Sequence, residues 1–176
     1  NVFNTLPKKN VVTWNAMIGG YVNHGDLEET VKLLQGLEST DLELNVVAYL
    51  YMITVCTRKQ SLDHGWCVHG LITTEGFECN LLICNALINM YLKCRSFDDA
   101  KSVYDGMPIH DVVTWNAMIA AACSQPDQRN KGLVLFQRMQ ESGLCPNQIT
   151  YVSVECICRP FGFIPWTACS FTYWRE

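Results

Sequence analysis

The chain has 176 residues, of which 49% are hydrophobic, and a formal net charge of −4. A chain of this length holds either one ordinary domain or several small repeats, and no uninterrupted apolar run approaches the roughly 18 residues that would suggest a membrane span. The acidic balance disfavours nucleic-acid binding through a general basic surplus, although the charge of a local groove can differ from the average. The chain starts without Met and inside a helical pattern, so we expect it to be an internal piece of a longer protein.

One stretch of eight residues, VVTWNAMI, occurs twice, at Val11–Ile18 and, 101 residues later, at Val112–Ile119. Both copies carry apolar residues at helical spacing. The sequence between and after the copies divides into segments of 35, 35, 31 and 36 residues that start at residues 11, 46, 81 and 112. Each segment holds two helical patterns. Repeats of this length with two helices each predict an all-α fold of the α-solenoid class.

The first two repeats cover residues 11–45 and 46–80. In the first, Gly25 offers a left-handed stop and Asp26 is a plausible N-cap for the second helix. In the second, Ser61 is expected to cap the second helix. The apolar face of the first helix of that repeat is predicted to consist of four residues: Val47, Leu50, Ile53 and Thr57.

The third and fourth repeats cover residues 81–111 and 112–147. Ser96 is expected to cap the second helix of the third repeat, Pro108 to end it, and Pro126 to break the fourth repeat. Small residues recur where the second helix should cross the first, as close packing requires. They are Thr30, Gly65, Ala100 and Gly132.

The two ends of the chain extend this pattern only in part. Residues 1–10 align with the end of the third repeat, and residues 148–158 begin a fifth first helix. Residues 159–176 contain six aromatic residues and two prolines without helical period, so we expect an irregular tail. A truncated or misread end explains this tail better than a membrane-surface anchor, because basic residues are lacking.

The ten cysteines favour a structural role as small buried side chains in a reducing compartment over a disulfide scaffold. Disulfide scaffolds are usually short and rich in loops, whereas most of these cysteines lie inside amphipathic helical patterns. The five that define this expectation are Cys56, Cys67, Cys84, Cys94 and Cys123.

Several motifs recur in phase: VVTWNAMI twice, CNALINMY at Cys84–Tyr91, FDDA at Phe97–Ala100 and GLCPN at Gly143–Asn147. With these motifs the chain resembles the pentatricopeptide repeat (PPR) family of plant organelle RNA-binding proteins over residues 1 to 158. The alternating lengths resemble the PLS subclass. On that resemblance 11–45 is a P-type, 46–80 an L-type, 81–111 an S-type and 112–147 a P-type repeat, with 1–10 the end of an S-type repeat and 148–158 the start of an L-type repeat. The turn glycine of the family is kept only as Gly25, and distortion is expected at the equivalent residues Gln60, Arg95 and Pro126.

The resemblance implies that each repeat reads one RNA base with its first helix. The fifth and last residues of a repeat would specify the base, and the second residue would pack against its faces. The base-reading residues are then Asn15 with Asn45, Asn85 with Asp111, and Asn116 with Asn147. The base-sandwiching residues are Val12, Leu82 and Val113, with Val47 at the same phase in the L-type repeat.

The family code implies a base preference for each pair. Asn85 with Asp111 prefers U, while the two Asn–Asn pairs prefer a pyrimidine and separate C and U poorly. The pair of Leu50 and Asn80 is nearly silent, since Leu has no polar group to match a base edge. The implied preference from 5′ to 3′ is pyrimidine, any base, U, pyrimidine.

Simpler roles are open for the same residues. A single Asn in a helix is usually only solvated, but three Asn at one phase favour a reading face. Trp14 and Trp115 could stack on RNA, yet packing between helices is favoured because they neighbour the reading position.

No catalysis and no cofactor are expected from this sequence. A zinc deaminase needs an H-x-E and a C-x-x-C motif, and neither occurs. His64, Cys67 and His69 do not share one helical face, so no metal site is expected there. The leading hypothesis is binding of single-stranded RNA in mitochondrial or chloroplast RNA editing or processing, with editing or deaminase-bearing proteins as further partners and no membrane. The alternatives are a protein-binding helical-repeat scaffold, disfavoured by the absence of the tetratricopeptide pattern, and a non-functional remnant.

Overall fold

The computed structural model describes residues 11–24, 45–124 and 129–158, and every regular element in these ranges is an α-helix. The predicted all-α fold is therefore confirmed. The helices fall in two compact units, Asn1–Pro108 and Ile109–Glu176, which we call the N-terminal and C-terminal units. The second helix of the first repeat, the Pro126 break and the tail after residue 158 lie outside the described residues.

The N-terminal unit contains five described helices. They are α1 (Val11–His24), α2 (Val46–Lys59), α3 (Leu62–Thr74), α4 (Leu81–Lys93) and α5 (Phe97–Gly106). The first helices of successive repeats pack side by side, α1 on α2 and α2 on α4. Each second helix packs against the first helix of its own repeat, α3 on α2 and α5 on α4, and α3 also contacts α4.

The C-terminal unit repeats this plan with α6 (Val112–Ser124), α7 (Arg129–Glu141) and α8 (Gln148–Cys158). Helix α6 packs on both α7 and α8, and α7 contacts α8. Helix α6 thus packs on its hairpin partner and on the next first helix, as α2 does in the N-terminal unit. No helix in the described ranges is long and apolar enough to cross a membrane.

The apolar face predicted for α2 is wrong in part. Val47 is 43% exposed and Leu50 only half-buried, whereas the buried stripe runs through other residues. Because α2 packs on α1, α3 and α4, its buried surface is wider than one stripe. The buried residues of α2 are Ala48, Tyr49, Met52, Ile53, Val55 and Cys56.

The predicted serine caps are also wrong in their chemistry. Ser61 and Ser96 occupy the N-cap positions of α3 and α5, but neither side chain bonds the helix backbone. The Ser61 hydroxyl lies 2.6 Å from His64 Nδ1, and the Ser96 hydroxyl donates to Asp99 Oδ2 at 2.6 Å. Each serine hydroxyl therefore forms its hydrogen bond with the side chain three residues later in the chain. Such local side-chain partners compete with the helix backbone for the hydroxyls of short polar residues.

Seven cysteines have side chains that the structure describes, and all seven are free thiols. Cys56, Cys84 and Cys123 are buried, as expected of small apolar side chains. Burial raises the pKa of Cys56 to about 11, so this thiol stays neutral at neutral pH. The expectation fails for Cys67, which is exposed, and for Cys94, which is half-buried.

Three of the predicted small crossing residues, Gly65, Ala100 and Gly132, are buried, and Thr30 lies outside the described residues. A Cβ at Gly65 would lie 2.7 Å from the sulfur of Met90, which belongs to the first helix of the following repeat. The small residue at this position therefore serves packing between repeats.

The turns at Gln60 and Arg95 keep the left-handed conformation without glycine. Their φ angles are +50° and +60°. The backbone N–H of the residue after each turn residue bonds a carbonyl in the last turn of the preceding helix. Ser61 N donates to Cys56 O at 3.1 Å, and Ser96 N donates to Tyr91 O at 2.9 Å. The turns are not distorted, but a residue with a Cβ in this region costs about 1–2 kcal/mol.

We predict that Gln60→Gly and Arg95→Gly each raise the free energy of unfolding by about 0.5–1 kcal/mol, because relief of left-handed strain exceeds the entropy lost by glycine. Urea denaturation followed by circular dichroism measures the change. Gly76→Ala, at φ +76°, is the matched reverse variant and should destabilise. Equal or lower stability of both glycine variants would contradict this account.

The two copies of VVTWNAMI are followed by different residues, Gly19 after the first copy and Ala120 after the second. A Cβ at Gly19 would lie 2.8 Å from Cζ of Tyr51 on α2. The residue that matches Tyr51 in the second copy is Ser153, which is much smaller. The large side chain of Tyr51 is therefore matched with glycine, and the small side chain of Ser153 with alanine.

We predict that Gly19→Ala destabilises the chain because Tyr51 must move, and that Tyr51→Ser removes most of that cost. The expected coupling in a double-mutant cycle is about 1 kcal/mol. Gly20→Ala is the control, since nothing lies within 4 Å of a Cβ there and alanine favours the helix. Additive effects of the two substitutions would refute the pairing.

Candidate nucleic-acid interface

The last residue of each repeat is the N-cap of the following first helix, a role that the sequence analysis missed. The side-chain oxygen of Asn45 accepts from Ala48 N at 3.1 Å, and that of Asn80 from Leu82 N at 3.1 Å. Asp111 and Asn147 cap α6 and α8 in the same way, accepting from the backbone N–H three residues on at 2.8 and 3.1 Å. Asn or Asp directly before an apolar helical run is a signal that could have found this role.

The fifth and last residues of both predicted P-type repeats are joined by a hydrogen bond. Asn15 Nδ2 donates to Asn45 Oδ1 at 3.1 Å in the N-terminal unit. Asn116 Nδ2 donates to Asn147 Oδ1 at 3.1 Å in the C-terminal unit. Residues about 30 positions apart are therefore brought together twice with the same atoms and the same distance.

The surroundings of the two reading amides differ. Asn116 is buried, and its Oδ1 accepts a hydrogen bond of 2.6 Å from the Thr150 hydroxyl. Asn15 is half-buried, and its Oδ1 is buried without a hydrogen-bond partner. Ala48 stands where Thr150 stands in the other pair, so no hydroxyl is present.

The predicted base-sandwiching residues are strongly exposed although they are apolar. Val12, Leu82 and Val113 are 74%, 63% and 61% exposed. Ile149 is not among the predicted residues, but it holds the same phase in the fifth repeat and is 62% exposed. An exposed apolar side chain at one position of every first helix suits contact with flat apolar surfaces such as base faces.

The remaining predicted site residues are divided between the N-terminal and C-terminal units. Leu50 lies half-buried on α2, and Asn80 caps α4. Asn85 lies half-buried on α4 in the N-terminal unit, while Asp111 caps α6 in the C-terminal unit. The pairing of Asn85 with Asp111 stays a prediction.

Both tryptophans beside the reading positions are buried, as the packing interpretation expects. Trp14 and Trp115 are core residues, and the Trp115 ring lies 5.6 Å from that of His110. Their indole faces are therefore withdrawn from solvent.

The histidines named in the sequence analysis have other roles. His64 contacts Ser61, and His69 Nδ1 lies 2.8 Å from the Tyr91 hydroxyl. Burial lowers the pKa of His69, so its ring is neutral at neutral pH. Within the described ranges, no three His, Cys, Asp or Glu side chains are grouped so that they could hold a metal.

The arrangement offers amides and apolar side chains. A carboxamide has two N–H donors and two acceptor lone pairs, so it can match the hydrogen-bonding edge of a base. The neighbouring apolar side chains have no directional preference. The carboxamides therefore suit selection of a base by its edge, and the apolar side chains suit contact with the face of a base.

Two family models match the chain. That of the PPR repeat family matches residues 9–58 and 110–154, and that of the PPR repeat matches residues 82–112. A pentatricopeptide repeat-containing protein of Arabidopsis thaliana is 32% identical over 158 residues, which cover 90% of this chain and 23% of the relative. Another from the same plant, named chloroplastic, is 34% identical over 164 residues, covering 93% of this chain and 30% of the relative.

The fold is that of solved members of the family. The crystal structure of the pentatricopeptide repeat protein PPR10 in complex with an 18-nt psaJ RNA element superposes with a TM-score of 0.76 at 21% identity, covering 94% of this chain and 25% of that one. The crystal structure of PPR10 from maize gives a TM-score of 0.64. The chain spans about a quarter of the length of these relatives. Since the family model covers more than half of its residues, the chain belongs to the pentatricopeptide repeat family.

Proposed function

We propose that this chain binds single-stranded RNA and selects bases, one per repeat, as part of an organelle RNA editing or processing factor. The observation that carries the proposal is the twofold occurrence of a reading Asn bonded to the last Asn of its repeat, at 3.1 Å in both cases. Exposed apolar side chains at the second position of the same helices supply the complementary contact. Any editing chemistry would come from another domain or protein.

The neighbours in sequence and structure support this proposal. PPR10 was crystallised with an RNA element, and one plant relative carries the name chloroplastic. We propose a mitochondrion or chloroplast as the compartment. The division into P-, L- and S-type repeats, with the base order pyrimidine, any base, U, pyrimidine, is part of the same proposal.

The proposed contact is with base edges and faces, not with phosphates. The reading residues of the two bonded pairs are neutral amides, and the chain as a whole is acidic. Affinity from a few such repeats is expected to be low, because each neutral hydrogen bond contributes only about 1 kcal/mol. Binding is therefore best measured at high protein concentration and low salt.

We predict that Asn116→Thr moves the base preference of the fourth repeat from pyrimidine toward purine, because a hydroxyl cannot offer the donor and acceptor pattern of the amide. A panel of oligonucleotides that differ at one position, measured by fluorescence anisotropy, tests the change. Asn130→Thr, at an exposed residue of α7, is the control and should leave the preference unaltered. An unchanged preference in Asn116→Thr would sink the assignment.

We predict that Val113→Ser and Val12→Ser weaken binding to every oligonucleotide alike, by about three- to tenfold, because each loses apolar contact with a base face but no edge contact. Val134→Ser is the matched control, since Val134 is half exposed on a second helix. A loss confined to one base, or an equal loss in the control, would contradict the proposed role. If none of the oligonucleotides binds but apolar peptides do, the scaffold alternative holds.

A further inference from the structure

The two P-type repeats have the same fifth and last residues, but their reading amides face different groups. We propose that Thr150 is a specificity-determining positioning residue: its hydroxyl holds the amide oxygen of Asn116 in place, so that this repeat selects C over U, while the amide of Asn15, for which Ala48 stands in the place of Thr150, is not held at its oxygen and can turn to accept U as well. This inference rests on the RNA-binding function proposed above and sharpens it. The code residues alone predict equal preferences for the two repeats.

The capping bond fixes the orientation of the Asn116 amide. Asn147 Oδ1 accepts from Thr150 N at 3.1 Å, so it is the oxygen of Asn147 that faces the start of α8. The atom of Asn116 that lies 3.1 Å from this oxygen must then be the donor Nδ2. The oxygen of Asn116 consequently points toward Thr150.

The Thr150 hydroxyl is itself held in place. Its oxygen accepts from Asn147 N at 3.0 Å, and the side chain is fully buried. Its proton has two acceptors in reach, Asn116 Oδ1 at 2.6 Å and Asn147 Oδ1 at 3.1 Å. Donation to Asn116 is favoured because this distance is the shorter one and because Asn147 Oδ1 already accepts the capping hydrogen bond from Thr150 N.

The first repeat lacks this group. Asn15 Nδ2 donates to Asn45 Oδ1 at 3.1 Å, as in the other pair. Its Oδ1 is buried and has no partner, because Ala48 carries no hydroxyl. A buried acceptor without a partner destabilises the protein, so a turn of the Asn15 carboxamide that exposes this oxygen is less costly than the same turn of Asn116.

Cytosine and uracil differ in the atom that these amides can distinguish. N3 of cytosine is an acceptor and N3 of uracil carries a proton, while both bases have an acceptor at O2. Asn116 is held at its oxygen by Thr150 and at its NH2 group by Asn147, so it meets a base through its remaining N–H and favours cytosine. Asn15 is held only at its NH2 group, so its carboxamide can turn and accept the uracil N3 proton on its oxygen.

The test compares C and U at the positions read by the two repeats, using the complete 176-residue chain and short oligonucleotides in NMR titrations. In Thr150→Val, which removes the hydroxyl and keeps the shape, the C-to-U affinity ratio at the Asn116 position should fall about fivefold, the factor of one neutral hydrogen bond. Thr150→Ser should retain the ratio. Ala48→Thr should raise the ratio at the Asn15 position by a similar factor.

Two readouts separate this inference from loss of folding and from failure of the proposed function. The Asn15 position within Thr150→Val is the internal control, because a general loss of structure would change both ratios. In the free protein, slow hydrogen exchange of the Asn116 carboxamide in the wild type and in Thr150→Ser, and fast exchange in Thr150→Val, supports the positioning role without RNA. Wild-type binding with equal C-to-U ratios in all variants overturns the inference alone. Absence of RNA binding by the wild type overturns the proposed function, and with it the base preference.

Discussion

In two repeats, the side-chain oxygen of the last residue joins the cap of the next helix to the orientation of the fifth residue, which we propose reads a base. In Asn45 and Asn147 this oxygen accepts both a backbone N–H at the start of the next helix and the amide of the fifth residue. The helix needs an acceptor there, since its first N–H groups have no partner within the helix. The amide that meets the acceptor must therefore turn its NH2 group inward. The orientation of the fifth residue thus follows from backbone geometry and is set before any ligand binds.

The same constraint explains why Asn and Asp are both suited to this position. Either residue can cap with one oxygen, and the rest of its side chain then differs: Asn keeps an NH2 group, while Asp keeps a second oxygen. Asp111 caps α6 through the same atom type as Asn147 caps α8. A change between Asn and Asp consequently exchanges a donor for an acceptor at the proposed base-reading position without loss of the cap. On that proposal, selectivity can change here while the hairpin remains intact.

Much of the fold could be predicted from the sequence, but less of the site. Helix periodicity and repeat length predict the all-α repeats, and the burial of Gly65 and Ala100 agrees with the small residues expected where helices cross. The predicted face of α2 is wrong in part because a first helix packs on several neighbours, which one period cannot show. Residue type predicts Ser61 and Ser96 as caps, yet His64 and Asp99 compete for their hydroxyls. The capping role of the last residues was overlooked because their base-reading role was inferred from the family resemblance.

Identical sequence does not give identical surroundings in a repeat protein. The eight residues of VVTWNAMI form α1 and α6 alike, but each helix packs on the next first helix, and those helices differ. Tyr51 leaves no room beyond glycine at residue 19, whereas Ser153 stands opposite the copy with Ala120. Asn15 Oδ1 has no hydrogen-bond partner because Ala48 stands in the place of Thr150, whose hydroxyl donates to Asn116 Oδ1. The surroundings of a fifth residue therefore depend on two consecutive repeats, and the proposed code, written from one repeat, omits the residue supplied by the next.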